Sequence, residues 1–498
     1  MRQAILRRNT VNLFNDLKVE KNYSPDKTVK ENKIVKDFDE LFDKLNIKDG
    51  SSLSFHHHLR NGDYVLNMVM EEVHKRGIKD ITLVASSIFP CNTPLIPMIE
   101  DGTITNIVAS YMSGDVAKAI SKGALKGKIL MQSHGGRAKS IMDGDVKIDV
   151  AFIASPACDK RGNISAVDGT AFCGTLGYAV ADSIMANKKV AITDTIMELE
   201  SHTEIPSERI DYILKVDSIG DPKGIVSGTT RITKDPVGLR IAQKAVEVMV
   251  ATGLVKNGMN YQSGAGGVSL AVTKFLGDYM KENQIKGEFA SGGVTGDLVN
   301  MMKDGLFERI YDVQCFDLVS AENIKEDERH ISMSAEKYAS VDRDAIVNGL
   351  DFVILGATEI DTDFNVNVMT GHDGVIMGGS GGHQDTAYGA KVSIIVSKLF
   401  QSRIPTIVDR VGVITTPGST IDILVTERGV AVNDRRDDIK KALDDANVKY
   451  MSIEELKKIQ DSYIGDFKVT PKEGRRVIGY SQYRDGTIID EIYEVNDR

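Results

Sequence analysis

Two glycine-rich loops in this sequence could meet an anion with their backbones, Ser263-Gly264-Ala265-Gly266-Gly267 and Gly378-Gly379-Ser380-Gly381-Gly382. Each stands between a short apolar run and a segment of helical periodicity, so its amides can face a ligand at a helix N-terminus. Successive free N–H groups of this kind form anion nests and can hold the oxyanion of an acyl transfer. The candidate ligand-facing positions are Gly264, Gly266, Gly267, Gly378, Gly379, Gly381 and Gly382, with His383 and Gln384 directly after them. A pair of tight turns is the plainer alternative. Neither loop continues into Gly-Lys-Ser/Thr and neither completes GxGxxG, which disfavours P-loop and nicotinamide chemistry.

Glu359 ends the apolar strand DFVILGATEI (351–360), about twenty residues before the second glycine loop. A carboxylate at the carboxyl end of a parallel strand lies where open α/β sheets bind ligands. There it could attack an acyl group and carry it as an anhydride. Asp361 and Asp363 follow closely, so a solvated Glu in an acidic turn is the simpler account from the residues alone. His56-His57-His58 and Arg60 precede a further helix. Three consecutive histidines cannot all face one way on a strand, and no carboxylate or Cys joins them at metal-ligand spacing. No metal is expected; an anion-binding loop suits Arg and His donors, with a structural loop as the alternative. His134 and Arg137 repeat the combination further on.

These groups need a scaffold of strands and helices to bring them together. From about residue 50, short apolar runs alternate with amphipathic stretches: ITLVAS (81–86), DVAFIAS (149–155), KVAITD (189–194), DFVILG (351–356) and PTIVD (405–409). That alternation marks an α/β fold with mostly parallel sheets. Asp235-Pro236 starts the clearest helix, with Leu239, Ala242, Val246 and Met249 on one face and Asn257-Gly258 as its stop. The chain also repeats itself. Asp149–Ala166 lies over Asp351–Val368 at a constant offset of 202, matching Asp159 to Asp361 and Asn163 to Asn365, while Ala157 stands where the second copy has Glu359. Ala109-Ser110 before Ser113-Gly114-Asp115 mirrors Ala290-Ser291 before Thr295-Gly296-Asp297, and FHHHLRNG (55–62) and YQSGAGG (261–267) both lead into helices. The expected organisation is an N-terminal arm (1–45), two similar open-sheet domains (46–225 and 236–450) sharing one site, and a C-terminal extension with a hairpin (451–498).

At 498 residues the chain exceeds a single core. Its net charge of −10 opposes nucleic-acid binding, which requires a basic face. Cys91, Cys158, Cys173 and Cys315 are far apart and read as free thiols in a reducing compartment. The N-terminal residues are broken by charges, and no apolar run reaches the ~18 residues of a membrane span. A cytoplasmic protein is expected, with neither membrane nor nucleic acid as partner.

Together, YQSGAGGVSLAV, FASGGVTGDLV, ATEIDTDFNVNV and GGSGGHQDTA resemble the acyl-CoA hydrolase and CoA-transferase superfamily. Within it, FHHHLRNGDYVLN (55–67), SHGGRAKSI (133–141), GNISAVDGTAFCG (162–174) and VIGYSQYRDGTIIDEIYEV (477–495) resemble the citrate lyase α subunit family. The resemblance implies two domains of the CoA-transferase (NagB/RpiA-like) fold and the exchange of acetate for citrate on an acyl carrier protein thioester; a citramalate-type or free acyl-CoA transferase or hydrolase is the alternative. It further implies no cofactor held tightly by this chain. The thiol belongs to a phosphoribosyl-dephospho-CoA group on the partner carrier (γ), for which acetyl-CoA can substitute, and a lyase (β) subunit and self-association complete the complex. Glu359 is then the candidate catalytic residue, with glutamyl thioester and direct exchange both open. The glycine loops, His383 and Gln384 would hold the thioester or its pantetheine arm. His56, His57, His58, Arg60, His134 and Arg137 would bind citrate.

Overall fold

The computed structural model describes residues 33–199, 202–226, 230–341, 344–401, 403–464 and 475–495. Two sheets carry the fold. The first has ten strands in the order Ile34–Val35, Tyr212–Lys215, Lys188–Thr193, Val150–Ser155, Ser52–Phe55, Ile81–Ala85, Ile104–Ala109, Ile129–Met131, Val477–Gln482 and Ile488–Tyr493. The second has eight: His330–Ser332, Phe307–Cys315, Gly287–Val294, Asn260–Ser263, Phe352–Leu355, Val392–Val396, Ile423–Val425 and Val430–Val432. Pairing is parallel except at the last strand of each order. Most strands are buried throughout, because helices cover both faces, and this is why they read as unbroken apolar runs rather than alternating ones.

The duplication is visible strand by strand. From the central strand of each sheet, Ser52–Phe55 and Asn260–Ser263, the chain adds three strands to one side and then crosses to the other. The repeat at offset 202 is an equivalent structure: Ala157 pairs with Ser165 as Glu359 pairs with Asn367. Asp149 accepts from the amide of Ser52 at 2.9 Å, and Asp351 from that of Asn260 at 2.8 Å. Asp159 and Asp361 each close an Asx turn on the amide two residues on and also accept from the amide of the asparagine four residues on. One expected match is displaced. Ala109-Ser110 ends the third strand of its sheet, whereas Ala290-Ser291 lies on the second strand of the other. The shared Ser/Thr-Gly-Asp is helix-start chemistry that any strand-to-helix turn can carry.

Other expectations shift in detail. Residues 34–45 are no surface arm: Ile34–Val35 extends the first sheet, and Phe38–Leu45 is a helix that buries Leu41, Phe42 and Leu45. The remainder of the expected arm, 1–32, lies outside the described residues. The helix capped by Asp235 runs Pro236–Ala251, ending before Gly253 (φ +71°) rather than at Asn257-Gly258, and Leu239 is only half-buried. Ile407–Val408 pairs with Glu359–Asp361 in a separate three-stranded sheet, not with the main one. The C-terminal hairpin returns to the first half, where Val477–Gln482 pairs with Ile129–Met131.

Two contacts lock the halves together. The Gly378–Gly382 loop lies on first-half backbone: Met112 N donates to Gly378 O at 3.2 Å, Gly381 N to Ser110 O at 3.1 Å, and His134 N to Gly381 O at 2.8 Å. Beneath it, the buried Asp385 carboxylate accepts from Ser133 Oγ (2.9 Å), Gly135 N (2.9 Å) and Arg484 Nε (3.2 Å). Arg484, in the turn of the C-terminal hairpin, also donates to Ala339 O at 2.9 Å.

Stability measurements can test this packing at two places. A Cβ on Gly379 would lie 2.2 Å from Ser110 O, whereas one on Gly266 meets nothing nearer than Ser269 Oγ at 3.9 Å. Gly379→Ala should cost about 1–3 kcal/mol as overpacking, read as a lowered melting midpoint, while Gly266→Ala keeps the wild-type value. The second place is Asp63, buried at the start of the Val65–Lys75 helix, whose carboxyl burial pushes up to about 7. Since the folded value exceeds the unfolded one, its stabilising contribution is complete below about pH 4 and is lost as pH rises to 7. Asp63→Asn retains the acceptor for the Leu66 amide. It should be more stable than the wild type at pH 8, with the difference vanishing near pH 4.5 in a melting series.

Candidate active site

The carboxyl ends of the two central strands open on one cavity of about 610 Å³ between the halves. Ser52–Phe55 leads into His56–His58 and Arg60, and Asn260–Ser263 into the first glycine loop. This is the strand end at which open α/β sheets place ligands, supplied here by both sheets at once. Gly264, Gly266, Gly267, Gly378, Gly379, Gly381, Gly382 and His383 all line the cavity. Gly266 caps the sixteen-residue Gly267–Glu282 helix without a side-chain acceptor, so the first-turn amides point at the cavity. The glycines of the second loop serve packing as well: a Cβ would strike Val368 O from Gly378 and Ser110 O from Gly379, at 2.3 and 2.2 Å.

The histidines separate by their hydrogen bonds. His56 uses both ring nitrogens on protein, Nδ1 against His58 Nδ1 (2.6 Å) and Nε2 as acceptor from Ala154 N (2.9 Å). His57 lines the cavity, but Ser86 Oγ holds its Nδ1 at 2.6 Å and Gln314 Oε1 its Nε2 at 3.1 Å. His58 packs behind it against Tyr178. His134 lines the cavity with Nδ1 buried and without a hydrogen-bond partner among the described residues. Burial pushes His56 and His134 down to about 3 and His57 and His58 well below the usual imidazole range, aided by neighbouring cations. All four are neutral at neutral pH.

Two fixed positive charges line the cavity: Lys398, which is paired with Asp235 at 3.2 Å, and Arg60, which no carboxylate among the described residues pairs. Its Nε and Nη1 are buried and have no partner among the described residues, and its guanidinium lies between the rings of Phe89 (5.5 Å) and Phe316 (4.9 Å). Burial lowers its proton affinity, yet an arginine stays charged. Arg137 does not join it. That side chain is buried in a two-bond ion pair with Asp182 (2.8 and 3.1 Å) and also donates to Ser54 Oγ, away from the cavity. Gln384 is likewise structural, since it donates to Gln482 O and accepts from Arg484 N, anchoring the C-terminal hairpin.

Glu359 lies outside the cavity. Apolar Phe352–Leu355 ends four residues earlier, and Glu359 opens the separate strand Glu359–Asp361. Side chains alternate along a strand, so Thr358 lines the cavity and Glu359 turns to the other side. There its carboxylate accepts from Asn367 Nδ2 (2.9 Å) and Gly412 N (2.8 Å) and meets His372 Nδ1 at 2.9 Å, beside a pocket of about 40 Å³. The sequence reading missed cavity residues that carry no glycine signal: Tyr178, Gln314, Phe89, Phe316 and Tyr338, which holds Gln262 Nε2 at 2.7 Å. Gln262, which also lines the cavity, stood inside a motif singled out from sequence, YQSGAGG.

Among the described residues, no cluster of His, Cys, Asp and Glu could hold a metal ion, and no helix is long and apolar enough to cross a membrane. The family model for the citrate lyase α subunit matches residues 31–495. The citrate lyase α chain of Haemophilus influenzae is 43% identical over 484 residues, covering 96% of each chain, and that of Escherichia coli K12 is 41% identical over 471 residues, 94% of this chain and 92% of the other. A crystal structure from Streptococcus mutans, described as a citrate lyase α subunit in complex with citrate, superposes with a TM-score of 0.92 at 42% identity, covering 96% of this chain and 95% of that one. A Pseudomonas malonate decarboxylase hetero-tetramer in complex with malonate shares the fold alone, with 13% identity and a TM-score of 0.65 over 88% of each chain. With the family model spanning nearly all of the chain and relatives above 40% identity along its length, the chain belongs to the citrate lyase α subunit family.

Proposed function

We propose that this citrate CoA-transferase, the α component of citrate lyase, binds citrate and the acetyl thioester of an acyl carrier protein together in the cavity between its sheets. The observation that carries this reading is the half-buried Arg60 guanidinium, a permanent cation whose Nε and Nη1 are closed to water without a partner among the described residues, lining the same cavity as a helix N-terminus that no side chain caps. Arg60 binds one citrate carboxylate, and His134 and Tyr178 border the same end. The Gly266–Ser269 amides and the Gly378–Gly382 loop face the thioester; the Gly378 and Gly381 amides are taken by Met369 O and Ser110 O, so within that loop the donors to the oxyanion come from Gly379, Ser380 and Gly382.

The exchange conserves the thioester and needs neither ATP nor a redox partner. A citrate carboxylate oxygen attacks the acetyl carbonyl, and the carrier thiolate leaves. The thiolate then attacks the citryl carbonyl of the mixed anhydride, and acetate departs. No proton has to be transferred, in keeping with a cavity whose histidines are neutral and mostly engaged in protein hydrogen bonds. The placement of Glu359 on the far side of its strand supports direct exchange over a glutamyl thioester. The carrier's phosphoribosyl-dephospho-CoA arm is a substrate, and acetyl-CoA can take its place. The carrier (γ) and lyase (β) subunits, in the cytoplasm, are the partners, and the chain self-associates within the complex.

The test is acetate release from acetyl carrier as a function of citrate. Arg60→Gln should raise the KM for citrate by about 10- to 100-fold, as expected for losing a charge-assisted bidentate contact, and change that for the carrier little. Glu359→Gln should keep turnover within about tenfold of the wild type, and hydroxylamine should trap no adduct at position 359. A loss near the 1,000-fold scale of a removed catalytic group, together with an adduct, would restore Glu359 as nucleophile.

A further inference from the structure

A buried cation is ordinarily met by a carboxylate, because an unpaired charge taken out of water is costly. Arg60, half-buried with its Nε and Nη1 closed to water, departs from that rule. None of the ion pairs among the described residues includes it, and what surrounds its guanidinium is aromatic: Phe89 from the first half and Phe316 from the second. Ring faces attract a cation through their quadrupole and leave its in-plane N–H donors unused. A carboxylate in the same place would have consumed those donors and neutralised the charge.

The local backbone is arranged to keep this sandwich. Arg60 sits at φ +53°, a left-handed conformation that a side-chain-bearing residue adopts at some cost. Arg60 N donates to His57 O at 2.8 Å and holds the turn. On the other side, Phe316 follows the Phe307–Cys315 strand, with its amide bonded to Val294 O at 2.8 Å. A Cβ at Gly293 would lie 2.1 Å from the Phe316 ring, so this glycine makes the room that the ring occupies. The pairing register shifts between Gly292 and Gly293, at the same point. The SGGV stretch of the second half thus has a purpose that the glycine loops do not explain.

We infer that Phe316, seated over Gly293 and paired with Phe89, is a positioning residue that holds Arg60 charged, oriented and free of protein partners for a substrate carboxylate. The inference rests on the assignment of Arg60 to citrate. It makes citrate recognition a joint property of the two halves, since the cation comes from one and its nearer aromatic face from the other.

The experiment is a double-mutant cycle on the full chain with its acetyl carrier thioester, reading citrate KM, carrier KM and kcat for Phe316→Leu, Arg60→Gln, the double variant and Phe316→Tyr. Phe316→Leu should raise the citrate KM about 10-fold, the scale of a desolvated cation–π contact, with the carrier KM within about twofold. Phe316→Tyr, which keeps the π face, should match the wild type. In the Arg60→Gln background, Phe316→Leu should add less than about twofold, because the ring has lost the group it orients. An unchanged citrate KM in Phe316→Leu, or the same increment in both backgrounds, overturns the positioning role while leaving Arg60 as the citrate anchor. An unchanged citrate KM in Arg60→Gln overturns the anchor itself. Should Phe316→Leu fail to fold, Phe89→Leu takes its place in the cycle, and an unchanged citrate KM there overturns the positioning role in the same way.

Discussion

Asp385 is a carboxylate with almost no access to water, held by groups from two other stretches of chain. Ser133 and Gly135 belong to the helix start that carries His134, Arg484 belongs to the C-terminal hairpin, and Asp385 itself lies one turn into the His383–Gly389 helix behind the second glycine loop. Burial pushes its carboxyl upward and Arg484 pulls it down; the net displacement is upward. A buried ion pair of this kind adds little to stability compared with an apolar substitute, but losing one partner strands the other. Its value here is positional. With Asp385 in place, the glycine loop, His134 and the hairpin turn have one mutual arrangement, and the cavity between the halves has a defined shape.

The two halves share a topology and divide the work. At the equivalent helix start of the first half, the Asp63 carboxylate accepts from the Leu66 amide and the Gly220–Ile225 segment covers the approach: Asp221 N donates to Gly62 O at 2.9 Å, and a Cβ on Gly62 would lie 2.0 Å from Asp221 O. That helix end is closed, whereas the Gly267–Glu282 end opens on the cavity. The first half gives the cation that no carboxylate among the described residues pairs, and the second gives amides. One asymmetric site from two similar domains needs only that one of the two anion-binding helix ends be blocked.

Much of this was legible in the sequence, for identifiable reasons. The offset repeat was readable because Asp159 and Asn163 make local hydrogen bonds whose spacing is fixed by turn geometry and Asp361 and Asn365 make the same ones, while Asp149 and Asp351 each tie the start of that segment to the central strand of its sheet. The glycine loops were readable because few other residues suit such backbones. Glu359 was misplaced because a run of apolar letters does not show where one strand stops and a second, turned strand starts; its carboxylate ended on the opposite face from Thr358. Arg137 and Gln384 looked like ligand groups by type, yet Asp182 and Arg484, remote in sequence, claim them. Phe89 and Phe316 were invisible because nothing in their own neighbourhoods reveals the arginine between them.

The hairpin Val477–Tyr493 completes a sheet whose other members were all laid down before residue 216. During synthesis, the Ile129–Met131 strand therefore presents a bare edge while the entire second half is being made. Such an edge invites pairing with foreign strands until its own partner arrives. The order of translation thus sets an interval in which the N-terminal domain is unfinished, and its closure awaits a segment that also brings Arg484 to Asp385. The strand that covers this edge and the arginine that meets Asp385 arrive on one hairpin.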